Sequence, residues 1–383
     1  MEYLESNLFV LILLILEVKL IIDSHAHIFP PMGGSSGHDS VDEHMKFIQH
    51  MLIFNGQPVR NFNTGEFLSD QSLVNPGGYS FDYLSEVNIR AGQYGRFNWI
   101  YKSDNYYRQY LPPTLVNLEA PVELMVAQMD YVGIDKSVLQ TGHSYGKLNN
   151  YIKDAIDKFP ERFWGLAMID EWKSDRNSEI NTLEIAIKDL GLHALWYQSG
   201  TLRMYGRNEL VDDPIFFKFW DCVRELKIPV FWMLTAVSPN KDVYLNELNA
   251  FRNWLKKYDD IPVVLTHGLN LSIFTNGDKL EIPDEAWNAL DSPSLISEIL
   301  FPIAYGQNWE YPFRESYPII KEYYQRLGSD RLAWGSDMPN VERYCTYKQS
   351  LDYIGNHCNF LSEQDKNKIF GDNIYKLFTN NFN

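Results

Sequence analysis

Short apolar runs recur along this chain and alternate with longer stretches whose apolar residues return every three to four positions. The runs at 20–23, 136–140, 164–169, 194–197, 229–234, 262–266, 295–301 and 331–334 read as strands. The stretches at 122–132, 148–159, 179–190, 214–226, 245–258 and 316–327 read as helices. Several of them stop at a residue that cannot continue a helix cheaply, among them Gly133, Pro160, Gly191 and Gly328. Alternation of this kind predicts βα units around a parallel sheet, and eight strands is the count of a (β/α)8 TIM barrel, an α/β fold. A doubly wound open sheet is the alternative, disfavoured because no Gly-rich phosphate loop follows the first strand. The seventh run, broken by Ser297 and Pro302, also suits a helix.

The periodicity lapses in two places. Residues 1–18 hold a nine-residue apolar run, Leu8 to Leu16, beside Glu2 and Glu5. It is too short to span a bilayer, and a secretory signal would carry basic residues first. It reads as an apolar extension docked on the fold, or as the product of an upstream start; a signal-like segment is the lesser alternative. Residues 30–118 form a long insertion after the first strand, rich in Gly, Asn, Ser and Tyr. Its aromatic content argues for a folded cap over the barrel mouth rather than for disorder. The expected organisation is therefore one barrel over 19–383 with 30–118 as its cap, closed by two or three helices within 347–378.

Composition narrows the partners. A formal net charge of −16 lacks the basic footprint that nucleic acid requires. Nothing resembles a membrane span, and three scattered cysteines (Cys222, Cys345, Cys358) without CxxC spacing suit a reducing cytoplasm. What remains is a small-molecule partner, and an anionic one stays possible if a few arginines hold it.

The candidate chemistry sits where strands end. Ile21-Ile22-Asp23-Ser24-His25-Ala26-His27 puts two imidazoles at i and i+2 after an apolar run, a spacing that turns both to one side of a strand. His143 follows the second strand, His267 the sixth, and Asp337 the eighth in Trp334-Gly335-Ser336-Asp337-Met338-Pro339. Side chains at the C-terminal ends of barrel strands share one mouth. Imidazoles with one carboxylate suit a divalent ion, zinc first, with manganese or iron possible. His193 lies early in its strand and reads as a local packing residue. His38, His44 and His50 read as solvated residues of the insertion. Arg90 and Arg96 could clamp a substrate carboxylate. Trp196, Tyr197 and Trp232 could give the pocket flat aromatic walls, with core filling as the alternative.

The segments IDSHAHIF, LTHGL, WGSDMP and IFGDN occur in barrel order, and together they resemble the amidohydrolase superfamily. The resemblance is to the branch of aminocarboxymuconate-semialdehyde decarboxylase and the resorcylate-type decarboxylases, and it spans 19–378 less the insertion. It implies His25, His27 and Asp337 as metal ligands, with His267 a further ligand or a catalytic group beside Asp337. It also implies a homo-oligomer. One departure stands out. The family's fifth strand usually ends in a ligand histidine, whereas this chain reads Pro229-Val230-Phe231-Trp232-Met233-Leu234. The expected activity is metal-dependent decarboxylation of a small carboxylated cyclic or aromatic compound, with His143, Arg90, Arg96 and Trp232 as substrate contacts. Hydrolysis of a lactone or amide is one alternative, and a metal-free ligand-binding barrel is the other.

Overall fold

The computed structural model describes residues 19–54, 57–68, 72–78, 80–234, 240–276, 279–300, 302 and 309–379. The apolar extension at 1–18 lies outside the described residues.

Eight parallel strands make the barrel: β1 (Ile22–Ala26), β7 (Lys136–Leu139), β8 (Phe163–Ala167), β9 (Ala194–Gln198), β10 (Val230–Met233), β11 (Val263–Leu265), β14 (Leu295–Glu298) and β15 (Leu332–Ala333), neighbours in that order, with a two-stranded ribbon of β12 (Thr275–Asn276) and β13 (Lys279–Leu280) after β11. The eighth returns beside the first. Ser24 N donates to Trp334 O at 3.1 Å, and past the end of β15 His27 N donates to Met338 O at 2.7 Å. The seventh run is thus a strand, and the barrel, not the open sheet, is the fold.

Alternation along the strands sorts the core into two parts. Ile22, Val138, Leu166, Trp196, Phe231 and Met233 belong to a cluster that fills the lumen. Their neighbours Leu139, Ala167, Leu195, Tyr197, Val230 and Trp232 face the helical layer and join the main core. Helices α2 (Val122–Val132), α3 (Asn149–Lys158), α4 (Asn177–Lys188), α5 (Phe217–Leu226), α6 (Lys241–Lys257) and α7 (Tyr317–Leu327) supply that layer. Gly133 ends α2 in the left-handed conformation at φ 86°, where a side chain would be strained. At the far end of the lumen, Ile374 and Leu377 pack beneath Ile22 and Val138, and Phe378 stacks on Trp164 at 4.5 Å. The C-terminal helical segment therefore plugs the end opposite the strand C-termini.

The insertion has a core of its own. A five-stranded antiparallel sheet runs β3 (Phe67–Leu68), β2 (Val59–Asn61), β6 (Asp104–Gln109), β5 (Arg96–Tyr101), β4 (Arg90–Ala91), preceded by helix α1 (Val41–Phe54). Its histidines are not solvated: His38, His44 and His50 are 5%, 0% and 3% exposed. His38 Nε2 lies 2.9 Å from His143 O, and His44 Nε2 lies 2.9 Å from Ser144 O. Tyr110, just past β6, donates to Ser144 Oγ at 3.1 Å. These contacts fasten the insertion to the loop after β7, so imidazole N–H groups satisfy buried carbonyls instead of water.

Candidate metal centre

The first strand delivers its histidines through an irregularity: its register against β7 shifts between Asp23 and Ala26. Asp23 anchors that shift. Its buried carboxylate accepts from Ser336 N at 2.8 Å, Tyr347 Oη at 2.7 Å and His25 N at 3.0 Å, tying β1 to the segment after β15. Burial pushes this carboxyl up to about 6, while the same hydrogen bonds pull it down. Asp337 N donates to His25 O at 2.8 Å, and Asp337 sits at φ 62°, a left-handed conformation that Asp tolerates better than most residues. His267 (φ 65°) and Gly268 (φ 70°) form a second left-handed turn after β11. An added Cβ on Gly268 would lie 2.9 Å from Glu298 O.

At the strand C-termini His25 Nε2 and His27 Nε2 approach to 3.0 Å, and Asp337 Oδ1 lies 3.0 Å from His27 Nε2 and 3.7 Å from His25 Nε2. The other ring nitrogens are committed. His27 Nδ1 faces Gln140 O at 3.1 Å, and His25 Nδ1 faces Glu298 Oε2 at 2.8 Å. A carbonyl and a carboxylate can only accept, so each Nδ1 carries the ring proton and each Nε2 turns a lone pair inward. Two imidazole lone pairs and a carboxylate oxygen then converge on one point, where a divalent cation would hold them together. Two Zn–N bonds of about 2.0–2.1 Å at the tetrahedral angle set nitrogens about 3.3 Å apart, close to the spacing found. The donor set fits a divalent ion.

His267 stacks on His25, with ring centroids 4.8 Å apart and planes 13° apart. Its ligand nitrogen falls within 4.8 Å of a ring nitrogen of His25 and a carboxylate oxygen of Asp337. Its Nε2 is buried without a hydrogen-bond partner, so it is available to an ion or a substrate. Burial, reinforced by the neighbouring imidazole, lowers His25 to about 3 and His267 to about 4. Both rings are therefore neutral at physiological pH, and His267 starts as a proton acceptor. For Asp337, burial works upward, but the His27 contact and the surrounding imidazoles hold it well below the usual carboxylate range.

Two residues of this centre escaped the sequence reading. Glu298, fully buried at the end of β14, accepts from four donors: His25 Nδ1, His267 N at 3.1 Å, Ser24 Oγ at 2.9 Å and Gln140 Nε2 at 2.8 Å. Burial pushes its carboxyl up to about 7. Four donors on four lone-pair positions nevertheless leave no place for a carboxyl proton, so we describe it as a carboxylate. Gln140 also donates to Ser24 O at 2.9 Å. The available signal was parity, because Glu298 lies two residues after Ile296, which packs against the luminal cluster.

The remaining candidates are spread more widely. His143 lies at the same end of the barrel, 1% exposed, with Nε2 2.6 Å from Glu171 Oε2. His193 accepts from Gly165 N at 3.2 Å, just before β9 and away from the mouth. Arg90 is exposed on β4, and Arg96 lies over the Tyr107 ring and donates to Gln109, so both serve the insertion's own sheet. Trp232 has no exposed surface and packs against Tyr197, Trp220, Phe251 and Trp254, turned from the lumen toward the helices. A wall role for Trp232 and Tyr197 is corrected by that orientation; Trp196 alone of the three is luminal. Met233 is luminal too, at the position where the fifth-strand ligand was missed.

A parallel barrel that gathers imidazoles and a carboxylate at its strand C-termini has the architecture of the (β/α)8 enzymes. The chain belongs to the amidohydrolase family, whose model matches residues 22–379. No curated protein matches the sequence. Similar solved structures include a probable 2-pyrone-4,6-dicarboxylic acid hydrolase from Acinetobacter baumannii with citric acid bound. It is 15% identical with a TM-score of 0.54, over 94% of this chain and 98% of that one. A dihydroxybenzoic acid decarboxylase from Polaromonas sp. JS666, with bound manganese and 2-nitroresorcinol, is 17% identical with a TM-score of 0.50, over 68% and 86%. An uncharacterised TIM-barrel protein from Bordetella bronchiseptica is 15% identical with a TM-score of 0.52, over 93% and 97%. No described helix is long and apolar enough to cross a membrane.

Proposed function

We propose that the protein is a divalent-metal-dependent carboxy-lyase acting on a small carboxylated aromatic or other cyclic compound. The observation that carries this reading is the convergence of His25 Nε2, His27 Nε2 and Asp337 Oδ1, each ring fixed from behind by an acceptor on its other nitrogen. His25, His27 and Asp337 would hold the ion, zinc first with manganese or iron possible, and His267 would be a fourth ligand or the neighbouring base. When bound, the ion supplies Lewis acidity toward a substrate or water oxygen. Asp337 is ionised and His267 neutral, so both begin as acceptors. A proton delivered to the carbon that loses CO2 must first be collected by one of them from substrate or solvent. His143 would contact substrate. The three free cysteines support a reducing, cytoplasmic setting, and a homo-oligomer is part of the same reading.

Hydrolysis of a cyclic ester is the second reading, favoured by the extent of the match to the pyrone-dicarboxylate hydrolase, 94% of this chain against 68% for the decarboxylase. In it the same two acceptors take the proton of the attacking water. The test is turnover of 2,6-dihydroxybenzoate and 2-pyrone-4,6-dicarboxylate by metal-supplemented protein. CO2 released in step with substrate loss is expected. Acid release without CO2 selects hydrolysis. Failure to bind metal after supplementation leaves a metal-free ligand-binding barrel.

A further inference from the structure

We infer that the outward face of the insertion's sheet docks another protein, one that sets carboxylates beside apolar side chains at the contact. Pairing across the five strands aligns one residue from each into a row: Phe67, Arg60, Tyr107, Asn98 and Arg90. Alternation sends the adjoining Val59, Phe97, Trp99 and Arg108 to the opposite face, where all four are buried. The core of the sheet lies on that side. On the outward side Phe67 is 70% exposed, and beside the row Phe62 and Ile100 are 53% and 42% exposed. The Phe62 ring stands edge-on to Tyr107, with centroids 5.9 Å apart. The outward strand positions hold three arginines, Arg60, Arg90 and Arg96, and no acid. In a chain of net charge −16 that is a local reversal of sign.

The arginines are held in place without being neutralised. Arg60 lies over the Phe67 ring at 4.2 Å and Arg96 over the Tyr107 ring at 4.6 Å. Their hydrogen bonds go to neutral oxygens: Arg60 Nη1 to Gly65 O at 3.0 Å, Arg90 Nη2 to Asn105 Oδ1 at 3.4 Å and Arg96 Nε to Gln109 Oε1 at 3.3 Å. No carboxylate of the described residues pairs with any of the three. Each guanidinium keeps further N–H donors in the fork that matches a carboxylate. Arg60 and Arg90 stand three strands apart, about 14 Å at the spacing of a sheet. That span, with exposed rings along it, is too wide for one small anion and suits a macromolecular surface. Aromatic residues and Arg, without Lys, Glu or Asp, are what the centre of a protein interface is enriched in. Nucleic acid also pairs with arginine and stacks on rings, but a polyphosphate needs a wide basic footprint, and this chain is acidic overall. Charge complementarity therefore selects protein carboxylates, with apolar neighbours to cover Phe67, Phe62 and Ile100.

The experiment measures binding of three fluorescent probes to the full chain: a peptide of Glu and Leu residues, its analogue with Gln for every Glu, and single-stranded oligothymidine. Sedimentation follows self-association in parallel. Wild type is expected to bind the Glu peptide about tenfold more tightly than the Gln analogue at low salt, the worth of several surface ion pairs together. Added salt should shrink that contrast. The double variant Arg60→Glu/Arg90→Glu should lose it, and Phe67→Ala should weaken both peptides. Equal binding of the two peptides by wild type overturns the inference, and this arm needs no variant to fold. So does a contrast that survives in a double variant that melts normally. Oligothymidine binding that the double variant loses overturns it in favour of nucleic acid. Self-association that the double variant loses overturns it in favour of a second copy of this chain. None of these readouts involves metal or turnover, so the proposed function is tested separately.

Discussion

Replacing Glu298 with Gln keeps the size of the side chain and removes its charge, which makes it the sharpest probe of how the centre is held. The carboxylate meets four donors, two on each oxygen. An amide offers one oxygen and one NH2, so in either orientation two donors face a donor. With the NH2 toward His25, that imidazole must surrender the proton on Nδ1 and take one on Nε2, pointing it at the ion position. With the NH2 toward Ser24 and Gln140, the Ser24 hydroxyl can rotate away. Gln140 cannot turn over without losing its bond to Ser24 O and the one it accepts from Thr266. The second arrangement is the cheaper one, and it still replaces charge-assisted bonds by a neutral one, at about 1.5–3 kcal/mol for a bond to a charged group. Metal affinity should fall roughly 10–100-fold, as for other outer partners of ligand histidines. Competition of zinc or manganese between protein and a chromophoric chelator measures it. Affinity within about twofold of wild type, in a variant that melts normally, would show that the charge on Glu298 does not support metal binding through His25.

Other outcomes are fixed by the same geometry. Asp337→Asn should abolish turnover and weaken metal binding, while His193→Gln, removed from the mouth, should leave both near wild type; steady-state assays with metal titration compare them. Gly335→Ala would bring a Cβ to 2.7 Å from His25 Cβ and 2.8 Å from Ser24 Oγ. Both groups belong to β1, so a stability loss of about 1–3 kcal/mol and weaker metal binding are expected, read by thermal melting and the chelator assay. His38 is lowered to about 4, chiefly by burial. A group whose folded pKa lies below its unfolded value gives stability that is complete above about 6.5 and lost as pH falls toward 4, here at most about 3 kcal/mol. His38→Gln, which can still donate to His143 O, should flatten the acid limb of melting temperature against pH; an unchanged slope would refute it.

Much of the barrel was written in local pattern. Apolar runs, Gly stops such as Gly133 and Gly328, and the histidine and aspartate at strand ends are all short-range signals. The seventh strand ends at Glu298, which shares the face of Ile296; read locally, Ile299 and Leu300 continue the run, and Ser297 and Pro302 are what break it. Trp232 was misplaced for a related reason. Its face depends on registering β10 against β9 and β11, and only that pairing turns Phe231 and Met233 inward and Trp232 outward. The burial of His38 and His44 was illegible from sequence, since each sets Nε2 against a carbonyl about a hundred residues away. Neither hydrophobic period nor composition records a contact of that span.

The way the insertion is fastened has a consequence for how such a protein can diverge. His38 and His44 hold main-chain oxygens of the 143–144 segment, and every residue type presents the same oxygen. Apart from the Tyr110 bond to Ser144 Oγ, that tether stays intact when side chains there are exchanged by mutation. Recognition of a new compound could therefore evolve at this loop without the insertion having to be re-fitted.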